Sequence, residues 1–203
     1  MADKISPQDL KEFYNKGILA FEKKNYDYAI EIFSQMLLYR HDHLEARHYL
    51  HLSLKNKAGA ASSSFITKAI NTASRIFLML PVEGMLKKGN VPAALEGLEK
   101  ILAKNPNDTE VLKKIADVFY KNDLAANALQ NLEEAKAINS KDIEILKTLG
   151  DIYLKKEDYK NAKTNYEAAL HIDPSDTNVL KSLKNLDALG TIQQEFNQPF
   201  GEP

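Results

Sequence analysis

Apolar side chains recur in this chain in steps of three and four, the period of an α-helix that buries one face. Leu146, Leu149, Gly150 and Tyr153 stand at i, i+3, i+4 and i+7, and Ala162, Tyr166 and Ala169 at i, i+4 and i+7. A polar turn, Lys155 to Tyr159, lies between the two stripes, and Asp173-Pro174-Ser175-Asp176 follows the second. Proline stops one helix, and Asp176 caps the next by accepting a bond from a free backbone N–H. The pattern predicts helix, turn, helix, turn. Similar signals open the chain: Ser6 is an expected N-cap, Pro7 fits the first helical position, and Asp9 favours the positive helix end. Another helix is expected over Leu44 to Lys57, with Leu50 and Leu54 inward. The last is expected over Thr177 to Leu189, with Leu180, Leu183 and Leu186 inward and Gly190 as its stop.

These units repeat with a period of 34 residues. Leu78, Leu112, Leu146 and Leu180 share one register. So do Ala94, Ala128 and Ala162; Ile101, Ala135 and Ala169; Met85, Phe119 and Tyr153; and Asp108, Asp142 and Asp176. A generic helical bundle does not produce five aligned rows. Neither helix of a unit can bury its stripe alone, so stacked units must bury one another's.

Residues 143–176 carry Leu146, Leu149-Gly150, Tyr153, Ala162, Tyr166 and Pro174 at the offsets of the tetratricopeptide repeat, with Leu in place of the leading Trp. Residues 109–142 match with Leu112, Ile115-Ala116, Phe119, Ala128, Leu132 and Ala135, with Ser140 in place of Pro, and residues 10–43 with Phe13, Gly17, Ala20, Ala29, Phe33 and Met36. Gly17, Ala116 and Gly150 are expected where helices cross closely. The chain thus resembles the tetratricopeptide repeat family over most of residues 7–190. The resemblance implies an all-α, right-handed α-solenoid of stacked antiparallel helix pairs, about five repeats plus a C-terminal capping helix. Residues 7–57 read as N-terminal repeat units, 58–84 as an irregular connecting region, 75–190 as C-terminal units with the capping helix, and 191–203 as a mobile tail. In the tail, Phe196 and Phe200 read either as exposed aromatics of a disordered end or as a docking peptide.

The middle breaks the period. A step of 34 from Leu44 predicts a unit at 78, whereas the rows place it at Arg75. Ile66, Ile70 and Ala73 supply the i, i+4, i+7 face of a second helix, and no punctuation separates it from Arg75 to Leu80. Pro81 and Gly84 fall inside the next helix. The expectation is a merged or kinked helix over 64–80 and a short remnant near 83–88. Ile76 to Leu80 is apolar on all sides, which calls for burial all round. The alternatives are an apolar patch that pairs with another copy and, with few cations to drive it, a membrane-surface contact.

Composition removes several functions. The chain has 203 residues, 44% of them hydrophobic, and a formal net charge of -1, which gives no global field for nucleic acid. It has no cysteine, which excludes disulfides, thiolate metal sites and cysteine nucleophiles. Met1 to Leu10 is polar and reads as no signal peptide, and Ile76 to Val82 is too short to span a bilayer, so the expected location is the cytoplasm. No glycine-rich phosphate loop or nucleophile elbow is present, Ser62-Ser63-Ser64 has no nearby base, and the chain reads as a non-enzyme without a cofactor. His41, His43, His48 and His51 have a spacing open to zinc or nickel, but no acid completes a motif. Structural or surface roles are the expectation, with His51 as a packed, hydrogen-bonded core histidine.

The resemblance implies that the first helix of each unit lines a concave groove through its second, fifth and ninth positions. Lys113, Lys147 and Lys181 form one row there, and Asp117 and Asp151 stand in another. Nearby carboxylates partly neutralise the lysines. At the N-terminal end the corresponding face holds Tyr14, Ile18 and Phe21, then His48 and Leu52, which favours burial of a partner's apolar side chains. Co-chaperones of this family clamp a chaperone's terminal carboxylate with Lys, Asn and Arg. The matching positions here are Tyr14, Ile18, Tyr49, Ile76 and Leu80, and no register supplies the clamp. The expected function is a scaffold or adaptor that binds a protein segment in this groove. The alternatives are a structural protein that self-assembles through residues 64–82 and an accessory or chaperone subunit of a secretion or envelope machine.

Overall fold

A computed structural model of the chain describes residues 6–59 and 65–196. Among them are ten α-helices and no strand: α1 (Pro7–Glu22), α2 (Tyr26–Tyr39), α3 (Leu44–Ala58), α4 (Phe65–Lys87), α5 (Val91–Leu102), α6 (Thr109–Lys121), α7 (Ala125–Ile138), α8 (Ile143–Lys155), α9 (Tyr159–Ile172) and α10 (Thr177–Phe196). The starts follow the capping signals. Ser6 and Asp9 form a reciprocal capping box on α1, and Asp108 and Asp142 accept from first-turn N–H groups of α6 and α8. Turns within repeat units share a left-handed residue: Lys24, Gly89, Asp123 and Glu157 have φ near 60–70° (58°, 71°, 59° and 61°).

The chain divides into two compact units, residues 1–131 and 132–203. In the first, α1, α2 and α3 share a core of Ala20, Ala29, Phe33, Met36, Leu50 and Leu54. Helix α5 packs against α4 on one side and α6 on the other. In the second, Leu146, Ala162, Tyr166, Ala169, Val179 and Leu186 bring α8, α9 and α10 together.

The small residues stand at close crossings. A Cβ on Gly17 would lie 2.6 Å from the Phe33 ring, and one on Gly150 would lie 2.4 Å from the Tyr166 ring. Tyr166 is fully buried, and its hydroxyl donates to Asp151 Oδ1 at 2.6 Å, so the ring has little room to retreat. Gly150→Ala is therefore expected to destabilise the protein by about 1–3 kcal/mol through overpacking. Thermal melting measures it, and a melting temperature unchanged within a degree would contradict the packing.

Four features differ from the sequence expectation, the first being that Leu180, expected inward, is exposed on α10. Helix α4 does not end at Pro81; it runs unbroken from Phe65 to Lys87. Proline removes one N–H bond, to the carbonyl of Phe77, and both residues lie on the exposed side, where water can take that bond over. Ile76, Phe77 and Leu80 are exposed rather than buried all round. Helix α10 passes through Gly190 to Phe196, since nothing at a lone glycine forces a stop. The rest of the expected tail, 197–203, and the loop residues 60–64 lie outside the described residues.

Candidate functional site

Helices α1 and α3 carry an interlocked aromatic face. Phe33 of α2 is fully buried beneath it. The Tyr49 ring stacks on Phe33 with centroids 5.7 Å apart, and meets Phe21 at 5.4 Å, Tyr14 at 6.2 Å and His48 at 5.6 Å edge to face. Tyr14 also packs edge-on to Phe33 at 6.2 Å and stacks on His43 at 5.8 Å. His43 Nδ1 accepts the backbone N–H of Ala46 at 3.2 Å and caps α3, which assigns the ring proton to Nε2. Burial, with the neighbouring Tyr49 and Glu45, pushes the Tyr14 hydroxyl above its ordinary pKa, so it stays neutral. Ile18 and Leu52 are half-buried on this face, and His48 is exposed. The sequence placed Tyr14, Ile18, Phe21, His48 and Leu52 together, and the structure groups Tyr14, Phe21 and His48 around Tyr49. Sequence reasoning had missed Tyr49 as the hub. Its spacing of three from Leu52 was the available signal.

The charged positions are largely occupied within the chain. Lys113 pairs with Glu110 at 2.8 Å and Asp117 with Lys121 at 2.8 Å. In the second unit Lys147 reaches Asp176 at 2.6 Å, and Asp151 accepts the Tyr166 hydroxyl. Asp176 also caps α10, and its bonds to Lys147 and to backbone N–H groups lower its pKa. Lys181 is exposed on α10. A row of lysines at one-repeat spacing thus offers less free charge than its sequence suggests.

Beneath α3 lies a buried ionic cluster. Arg47, 1% exposed, donates from Nε to Glu99 Oε1 at 2.7 Å and from Nη1 to the His41 carbonyl at 2.8 Å. Its guanidinium stands 4.5 Å from the centre of the Phe119 ring. His51 Nε2 lies 2.8 Å from Glu99 Oε2, the hydrogen-bonded core histidine expected. Burial alone would raise the Glu99 pKa, but the charges and hydrogen bonds of His51 and Arg47 overcome it and hold the carboxyl at about 2. This cluster fastens α3 to α5 and α6. Asn127 and Gln130 of α7 add bonds to the Asp42 and Leu44 carbonyls at 2.9 and 3.2 Å. Above it an apolar hollow of about 300 Å³ opens between α2, α3 and α5, lined by residues including Leu38, Leu50, Leu54 and Leu95. Among the described residues no group of three His, Asp or Glu side chains is placed to hold a metal ion, and no helix is long and apolar enough to cross a membrane.

The fold recurs in solved structures of low sequence identity. The first tetratricopeptide domain of Spaghetti (RPAP3), bound to the HSP90 peptide SRMEEVD, is 17% identical with a TM-score of 0.51, over 57% of this chain and 92% of that one. The tetratricopeptide domain of P58(IPK) is 16% identical with a TM-score of 0.49, over 94% and 67%. YrrB, a repeat protein described as having an unusual peptide-binding site, is 17% identical with a TM-score of 0.46, over 85% and 90%. No curated protein matches the chain in sequence. The model of the tetratricopeptide repeat-like domain matches residues 45–191, well over half of the chain. With repeat rows, capping residues and close crossings all in the same register, the chain belongs to the tetratricopeptide repeat-like family, an all-α class of helical repeats.

Proposed function

We propose that this protein is a non-enzymatic interaction scaffold, and that the aromatic face of α1 and α3 docks an apolar segment of a partner protein. One observation carries the reading: Tyr14, Phe21 and Tyr49 are locked by one another and by buried Phe33, yet each keeps part of its ring exposed. Rings held in place before binding lose little entropy when a partner arrives, and aromatic anchors dominate protein interfaces. The charged rows of α6 and α8 support it less, because their side chains already have partners. Tyr14, Ile18 and Tyr49 stand where carboxylate-clamping relatives hold cationic and amide side chains, so an acidic peptide ending in a free carboxylate is a poor ligand here. The cytoplasm is the compartment this reading assigns.

Photo-cross-linking in the native cell tests it. A photoreactive residue at His48 or Leu52 is expected to trap a discrete partner, one at Lys181 is not, and Ile18→Glu is expected to weaken the trapped complex about tenfold or more, as loss of an interface anchor does. Equal trapping at all three positions, or saturable binding of the SRMEEVD peptide at micromolar concentration, would overturn the assignment.

A further inference from the structure

A first helix of this fold is met by the second helix of its own unit, as α8 is met by α9 through Leu146, Ala162 and Tyr166. Helix α3 is a first helix without that partner, because the stretch that should supply it runs on into α4. Helix α5, the second helix of the following unit, stands in its stead. Long side chains span the distance, Arg47 and His51 of α3 to Glu99 of α5. A hollow of about 300 Å³ remains between α2, α3 and α5.

The hollow is apolar inside and charged at its rim. Leu37, Leu50, Leu54 and Leu95 line it, and Leu38, 58% exposed, stands at its mouth. The ionic groups of its floor are engaged with one another: Arg47 Nε and His51 Nε2 each take one Glu99 oxygen, and Arg47 Nη1 takes the His41 carbonyl. Such a floor offers water little, and the apolar walls favour a hydrocarbon. The volume lies at the lower end of small-molecule sites, about 300–1,000 Å³. It suits a body of about ten non-hydrogen atoms, at the roughly 30 Å³ that each water molecule takes in the liquid. The rim decides the head group. Its arginine and lysine are already paired, Arg47 with Glu99 and Lys100 with Glu96 at 2.6 Å. Glu31, exposed on α2 at the same rim, has no partner among the described residues. A positive head complements that carboxylate, and a negative one meets repulsion.

We propose that this hollow binds a cationic amphiphile, a small molecule with an apolar body of about ten non-hydrogen atoms against Leu50, Leu54 and Leu95 and an ammonium head at Glu31. The site shares no residue with the aromatic face of α1 and α3, so neither reading depends on the other.

Calorimetric titration of the full chain with n-octylammonium tests it, beside n-octanol and n-octanoate, which carry other heads on bodies of similar length. Octylammonium is expected to bind one to one with a dissociation constant on the order of 100 µM. It is expected to bind about tenfold more tightly than octanoate, since attraction to an exposed carboxylate in one becomes repulsion in the other. From pentyl to nonyl, each added methylene is expected to tighten binding roughly fourfold. Longer chains gain nothing more, because the body outgrows the hollow. Glu31→Lys is expected to reverse the order of octylammonium and octanoate. Leu38→Trp, which crowds the mouth from an exposed position, is expected to remove saturable binding. Both variants are expected to melt as the wild type does. Leucine-methyl nuclear magnetic resonance places the ligand, with shifts expected at Leu38, Leu50, Leu54 and Leu95 and none at Leu52 of the aromatic face. No saturable binding by any of the three probes, a head-group order indifferent to Glu31→Lys, or shifts centred on Leu52 would each overturn the proposal. So would an affinity that keeps rising with chain length, as adsorption to exposed apolar surface gives.

Discussion

Glu99→Ala is expected to destabilise the first unit by about 3–5 kcal/mol, the cost of leaving buried charge without its counter-ion. Arg47 is 1% exposed and His51 3%. Without the carboxylate, a guanidinium fixed over the Phe119 ring keeps its bond to the His41 carbonyl but loses its counter-ion. Denaturant unfolding measures the loss, and a drop below about 1 kcal/mol would mean that water reaches the cluster. Replacing all three polar side chains with apolar residues of similar volume is expected to recover most of the stability, since desolvation of the cluster nearly offsets its internal attraction. The same carboxylate sets a pH dependence. It is held at about 2 in the fold against an ordinary value of 4.5. Its contribution, on the order of 3 kcal/mol, is complete above pH 4.5 and fades as pH falls toward 2, where both folded and unfolded states become protonated. Acid unfolding of wild type and Glu99→Gln should therefore converge at low pH. A constant gap between them down to pH 2 would contradict the shift.

Phe33→Ala is expected to cost about 3–5 kcal/mol, and it should also dismantle the aromatic face. The ring is fully buried, sits beneath Tyr14 and Tyr49, and fills the space that Gly17 leaves open. Its removal leaves a cavity under two rings that no other residue can fill. Phe33→Leu restores much of the volume but none of the ring contacts, each worth about 0.5–1.5 kcal/mol. The leucine variant is therefore expected to fold while holding Tyr49 less tightly. Near-ultraviolet circular dichroism at the tyrosine band reads that loosening, and an unchanged band would show that Tyr49 is held from α1 alone.

The sequence carried the candidate surface only in part. Tyr14, Ile18, Phe21, His48 and Leu52 were legible because the repeat register assigns faces to positions. Tyr49 was not selected, because its role depends on Phe33 sixteen residues earlier and on the angle at which α1, α2 and α3 meet. The Arg47, Glu99 and His51 cluster was invisible except for the histidine's expected hydrogen bond. Arginine and glutamate on helices usually point to water, and nothing local marks two that stand 52 residues apart as partners. The lysine rows were legible as rows but misleading as charge, since the Lys147 ammonium is taken up by Asp176 at the start of α10.

By itself the sequence determined the helices, their caps, the 34-residue register and the glycines at close crossings. All of these are local choices repeated along the chain, so each copy reinforces the others. The tertiary structure decided what happens where the repetition fails. Three missing residues fuse two helices into α4, and Pro81 does not part them because its lost bond faces water. Burial of a face depends on whether another helix arrives to cover it, which no periodicity within α4 can state. For that reason the apolar run at Ile76 to Leu80, which by sequence called for burial or for a pairing or membrane-facing patch, carries Ile76, Phe77 and Leu80 exposed while Val82, just beyond it, is buried.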